Sequence, residues 1–210
     1  MGSHILKKIT MNNKKGHIVP GVLILLLASS CKTMNITRYY HRHQSILDSI
    51  ELVYTQAYAQ KPFSIEFTDR AFDRVSLELA TDTLTYVYEF WVGEDRMQDT
   101  LRKYGYDTTA INDLITQMRS VDCTWVNNLD YYTEERKHYL TYISLWPRTF
   151  NFPFVNKKYY ILTYFQQPQY FDSDGNLLVG RKLRRVRKIN AEVFRRINDR
   201  VCYTLSDRFR

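Results

Sequence analysis

The run from Ile18 to Ala28 is apolar over eleven residues, contains Pro20 and Gly21, follows Lys14 and Lys15, and stops just short of Cys31. It splits the chain into a short leader and everything that can fold. A membrane-spanning helix needs about 20 apolar residues to cross the hydrocarbon core. This run is too short to do so. A basic n-region, an apolar stretch of this length and small residues at its end form the pattern of a secretory signal instead. Met11 fits the start of such a signal, which places Met1 to Thr10 outside fold reasoning.

The residues Leu27-Ala28-Ser29-Ser30-Cys31 resemble the lipobox of bacterial lipoproteins. Ala28 stands where that family usually has Leu, and Ala28 with Ser30 also satisfies an ordinary secretory cleavage. The resemblance implies that residues 1–30 are removed and that Cys31 becomes a lipidated N-terminus. Two acyl chains are enough for stable anchoring. Lys32 follows where an inner-membrane retention signal would have Asp, so the resemblance implies the outer membrane of the cell envelope. Residues 31–42 then read as anchor and tether, and 43–210 as a single domain.

With 44% hydrophobic and 15% aromatic residues, the chain can bury a real core. Its 17 Tyr and 11 Phe suit the faces of a pleated sheet. The net charge of +8 is uneven. Lys7, Lys8, Lys14 and Lys15 leave with the signal. Residues 181–210 set eleven basic side chains against only Glu192, Asp199 and Asp207. The middle of the chain is therefore acidic and the end basic. Cys123 and Cys202 are left once Cys31 is acylated, and an oxidising compartment makes them a candidate disulfide. Closing that loop would remove roughly 4.5 kcal/mol of unfolded-state entropy in the chain-entropy model.

Along the domain, Ile46, Ile50, Val53 and Ala57 share a stripe, with Leu47, Tyr54 and Tyr58 beside it, so 43–60 reads as a helix ended by Pro62. Three period-two runs follow, around Phe63–Phe67, Val75–Leu79 and Leu84–Phe90, and predict an antiparallel meander. Val87 and Trp91 on the other face of the third run suggest that this face is covered too. Glu94–Tyr104 and a segment capped by Asp107 or Thr108 read as helices. Val121–Trp125 reads as a short strand, with Asn127-Asn128 opening a long loop. Further strands are expected at Tyr139–Trp146 and Lys158–Gln166, and Asp174-Gly175 signals a hairpin. A last helix is expected from Asn190, with Val193, Phe194, Ile197, Val201, Cys202 and Leu205 inward. Blocks of strands rather than single β–α alternation favour an α+β fold: six to seven antiparallel strands with three to four helices.

The chemistry is sparse. Asp172-Ser173-Asp174-Gly175-Asn176 fails the EF-hand test, since its glycine is fourth and Leu183 stands where the bidentate Glu belongs. His41 and His43 form an H-x-H pair on the tether without a third ligand. His138 beside Glu134 and Glu135, or Asp69, Asp73 and Glu89 as paired carboxylates, would suit a hydrolase. No HExxH, P-loop or GxGxxG is present, and no cofactor is implied. The basic segment Arg181, Lys182, Arg184, Arg185, Arg187, Lys188 could attract lipid headgroups or acidic glycans, with nucleic acid the least expected. The reading at this level is a non-catalytic envelope lipoprotein, a binding or assembly component held on the membrane through Cys31 with a protein or glycan partner. An envelope hydrolase and a polyanion-binding module are the alternatives.

Overall fold

The computed structural model describes residues 35–133, 136–146, 159–179, 185–189 and 192–206, all within one compact unit, Thr33–Arg210. Helix α1 (Ile36–Gln60) opens with Asn35, whose side chain accepts the Arg38 N–H at 3.1 Å. This is an ordinary N-cap. The helix therefore begins inside the stretch expected to be a tether, and Ile36, Tyr39 and Tyr40 are buried. Its buried stripe continues through Leu47, Ile50 and Tyr54, one position over from the stripe read from sequence. The backbone is non-helical at His43, which kinks α1 there.

A meander follows: β1 (Phe63–Phe67), β2 (Arg74–Ala80) and β3 (Thr85–Trp91) pair antiparallel in turn. Two helices come next, α2 (Asp95–Lys103) and α3 (Thr108–Ser120). Asp107 caps α3 by accepting from the N–H groups of Thr109 and Ala110 at 3.0 Å. Long strands β4 (Cys123–Thr133) and β5 (Arg136–Leu145) then pair with each other, and β6 (Tyr159–Phe165) pairs with β5. The rest of the described chain is short strands: β7 (Leu178–Val179), β8 (Arg185–Val186), β9 (Lys188–Ile189), β10 (Glu192–Val193), β11 (Arg195–Arg196) and β12 (Val201–Ser206). Among the described residues eight strands make the main sheet, in the order β11-β12-β6-β5-β4-β1-β2-β3, with two small two-stranded pieces beside it. The fold is α+β with an antiparallel sheet, as the strand blocks predicted.

The two faces of the sheet differ. One face carries the main core, in which Ile65, Leu77, Val126, Ile143, Leu162 and Val201 pack against the helices through Leu47, Ile50, Ile111 and Leu114. On the other face a smaller cluster, Leu140, Phe165, Leu177, Phe194 and Cys202, lies where the short strands fold back over β5, β6 and β12. The β1–β3 half of that face is polar or open. Ser64 donates to Glu78 at 3.0 Å, while Val87 and Trp91 are 66% and 57% exposed. The expected cover over β3 is therefore missing among the described residues.

Two further expectations are corrected. Residues 192–206 form short strands and a turn instead of the helix expected from Asn190, which itself lies outside the described residues. The Asn198 side chain accepts the N–H groups of Arg200 and Val201 at 2.8 Å, a turn that stops helical growth. The sequence VCYTLS then alternates along β6 as β12. Asn127-Asn128 lies inside β4 rather than opening a loop, because the Thr141 hydroxyl on β5 donates to Asn128 Oδ1 at 2.7 Å. The hairpin signal at Asp174-Gly175 fits: Phe171 bridges Leu177, Gly175 takes φ +79°, and Asp172 Oδ1 accepts the N–H groups of Asp174 and Asn176.

Candidate functional site: the two ends of the sheet and the α1 seam

Strand register sets the coordinates of every candidate residue. Cys123, Leu145, Tyr160 and Leu205 share one row across β4, β5, β6 and β12. This row lies at the end where α1 begins, since the Tyr39 hydroxyl donates to the Val121 carbonyl at 2.7 Å. An open cleft of about 500 Å³ sits there, lined by Ile36, Tyr160, Val193, Arg195, Tyr203 and Leu205 among others. Nearby, Trp146 meets Tyr159 edge-on at 6.4 Å, and the Arg70 guanidinium lies 5.4 Å from the Trp146 ring centroid. The opposite end holds the close of α1, where the Tyr54 hydroxyl donates to the Phe63 carbonyl at 2.6 Å.

The hydrolase candidates fall at different ends. His138 pairs with Tyr131 toward the far end of β5. Asp69 accepts the N–H groups of Asp73 and Arg74 in the turn before β2, and Asp73 pairs with Arg119 at 2.9 Å. Glu89 is exposed on β3 opposite Ser76. The sheet does not bring His138 together with these acids, and Glu134 and Glu135 lie outside the described residues. His41 and His43 stand two apart on α1, a spacing that turns them to different faces. Their rings rest on Tyr40 and Tyr39. Among the described residues no three His, Cys, Asp or Glu side chains group as metal ligands.

The cysteines do not bridge. Both are free and buried. Cys123 belongs to the helix-side core and Cys202 to the cluster on the other face. The strands that carry them are three spacings apart, about 14 Å. Disulfide geometry needs Cα atoms within about 7 Å. Burial raises both thiols, Cys202 to about 12 against the opposing pull of Arg187 and Arg196.

Of the basic segment, Arg181, Lys182 and Arg184 lie outside the described residues, and Arg185 and Lys188 enter only as backbone of β8 and β9. Arg187 is half-buried with its guanidinium 5.8 Å from the Phe165 ring, turned onto the sheet. Further along, Arg196 pairs with Asp199 and covers Phe171. Arg200 donates to the Phe165 carbonyl at 2.9 Å and reaches Glu51 at 3.9 Å. Arg187, Arg196 and Arg200 are thus engaged by the fold, while Arg195 is exposed on β11 and lines the cleft described above. Cys31 also lies outside the described residues.

One constellation has no counterpart in the motifs read from sequence. Asp48 and Glu51 sit three apart on α1 and face β6 and the turn before β12. Asp48 accepts from the hydroxyls of Tyr40 at 3.1 Å and Tyr164 at 3.3 Å, and from Gln44 at 3.3 Å. Asn198 donates to the Tyr40 oxygen at 3.3 Å. Burial first, then Asp48, pushes the Tyr40 hydroxyl up to about 12, so it stays a donor. Burial also raises Glu51, against the pull of Arg200. The arrangement offers no activated nucleophile. It ties α1 to β6 and the 197–200 turn. The only legible signal was the i, i+3 spacing of two acids on a helix otherwise read for its apolar stripe.

No protein-family model, curated protein or solved structure matches this chain at a significant level. No helix among the described residues is long and apolar enough to cross a membrane.

Proposed function

We propose that this chain is a cell-envelope lipoprotein, anchored through acylated Cys31, whose α+β domain is a non-catalytic binding or assembly component. The observation that supports it most is at the start of α1. Ile36, five residues after Cys31, is already part of the core. Such a chain holds its domain at the membrane surface rather than on a long leash. The open face of β1–β3 supports a binding role, because Val87 and Trp91 are the kind of exposed apolar residues that mark contact surfaces. Contact through the face is favoured there over strand addition. The Arg96 side chain donates to the Glu89 carbonyl at 2.9 Å and so occupies part of the β3 edge.

Intact mass of the membrane-extracted protein tests the anchor. A mature N-terminus at Cys31 carrying acyl mass, lost in Cys31→Ala together with membrane association, is the expected result. A full-length unacylated chain in solution would overturn it. Native mass in mild detergent tests the binding role. Wild type is expected in an assembly that Val87→Asp disrupts, and a monomer for both proteins would remove the assembly reading.

A further inference from the structure

We infer that the corner of the domain at the N-terminus of α1 is a membrane-contact surface, and that α1 points its C-terminal end away from the bilayer. This rests on the anchored reading above. Five Cα–Cα steps separate Cys31 from Ile36, a reach of at most about 18 Å even fully extended. Ile36 is 3% exposed and fixed in the core, so this corner cannot move farther than that from an acylated Cys31. An acylated Cys31 therefore holds this corner beside the lipid surface.

The surface chemistry fits a lipid interface. Leu205 is 43% exposed beside the cleft, with Arg195 on its lining. Trp146 and Tyr159, both half-buried, meet at the same end, with Trp146 packed on the rim of the main core and Arg70 over the indole. Rings of Trp and Tyr accompanied by Arg are the groups that settle at the headgroup level. Arg38 is exposed on the first turn of α1, and that turn holds no acid. The helix dipole therefore presents its positive end toward the anionic headgroups without a carboxylate to offset it. At the other end of α1, about 37 Å along the helix for 25 residues, Asp107 and Asp113 line a shallow cleft with Gln56 and Gln60.

The test uses full-length, membrane-extracted protein in vesicles of phosphatidylethanolamine and phosphatidylglycerol (3:1). His41→Cys and Gln60→Cys carry a fluorophore in turn, both positions being exposed on α1 and about 28 Å apart along it. Cys123 and Cys202 are buried and do not compete for the label. Headgroup-attached acceptors are expected to quench the probe at 41 several-fold more than the probe at 60. Brominated lipids are expected to quench tryptophan emission in Trp91→Phe but to lose most of that effect in Trp146→Phe. Acylated protein with equal or reversed quenching at 41 and 60 overturns the contact surface and leaves the anchor standing. Protein without acyl mass on Cys31 overturns both.

Discussion

Tyr164 and Asp48 are 116 positions apart, and the Tyr164 hydroxyl donates to Asp48 Oδ1 at 3.3 Å across the seam between β6 and α1. Tyr40 reaches the same oxygen from within the helix. The two tyrosines are 4% and 1% exposed. Removing the carboxylate would leave two buried hydroxyls without their acceptor, at about 1–3 kcal/mol for such groups. Asp48→Ala is therefore expected to lower stability by about 2–3 kcal/mol, and Tyr164→Phe by about 1 kcal/mol. Because both changes act on one bond, the double variant should cost less than the sum, by about 0.5–1 kcal/mol. Urea titrations of the four proteins measure this, and strict additivity would show that the contact carries no energy.

The seam also explains what the sequence could and could not display. Strand alternation from Phe63 to Phe90 was legible because each core face is apolar at every second position and the turns between are polar. The start of α1 was hidden. Ile36, Tyr39 and Tyr40 have helical spacing, but Arg38 among them and His41, Arg42 and His43 after them dilute the pattern into something that reads as a tether. The last segment misled for the opposite reason. Val193, Phe194, Ile197, Val201 and Cys202 match a helical period, yet the Asn198 side chain closes a turn on Val201, and Val201 to Ser206 pair with β6. Turn chemistry at one residue outweighed periodicity over ten. The acid–tyrosine cluster was illegible because its partners come from α1, β6 and the 197–200 turn, and no local spacing encodes that meeting.

Cys123 and Cys202 should behave as two inert thiols. With both buried and shifted upward, little thiolate is available to an alkylating reagent at neutral pH. In Cys31→Ala protein, neither is expected to react with a thiol reagent in native buffer, and both are expected to react in denaturant without reductant. A chain whose thiols appear only after reduction would show a bridge and would require β4 and β12 to pack differently.

Glu51 should make stability depend on pH in a particular direction. Burial raises its pKa, with Asp48 adding to the rise while Arg200 and Thr55 oppose it. The folded state then holds the proton more tightly than the unfolded chain. Its favourable contribution is full below the unfolded value near 4.5 and is lost as pH rises through the raised folded value. Thermal midpoints of wild type and Glu51→Gln from pH 4 to 7 are expected to show the variant gaining on wild type as pH rises. A constant difference across that window would mean Arg200 cancels the burial effect entirely.

Thr163 and Thr141 offer opposite signs from one chemical change. Both are threonines on neighbouring strands, β6 and β5, and both are buried. The Thr163 hydroxyl has no hydrogen-bond partner, whereas Thr141 donates to Asn128 Oδ1 at 2.7 Å. Replacing hydroxyl by methyl keeps the branched shape that suits a strand. At Thr163 the change removes an unpaired buried polar group, so Thr163→Val is expected to raise stability by about 1 kcal/mol. At Thr141 it breaks a bond and leaves Asn128 short of a donor, so Thr141→Val is expected to lower stability by about 1 kcal/mol or more. Denaturant midpoints at unchanged slope read both effects. If both variants lose equally, the Thr163 hydroxyl has a partner in solution, and an ordered water under the short strands is the group to look for.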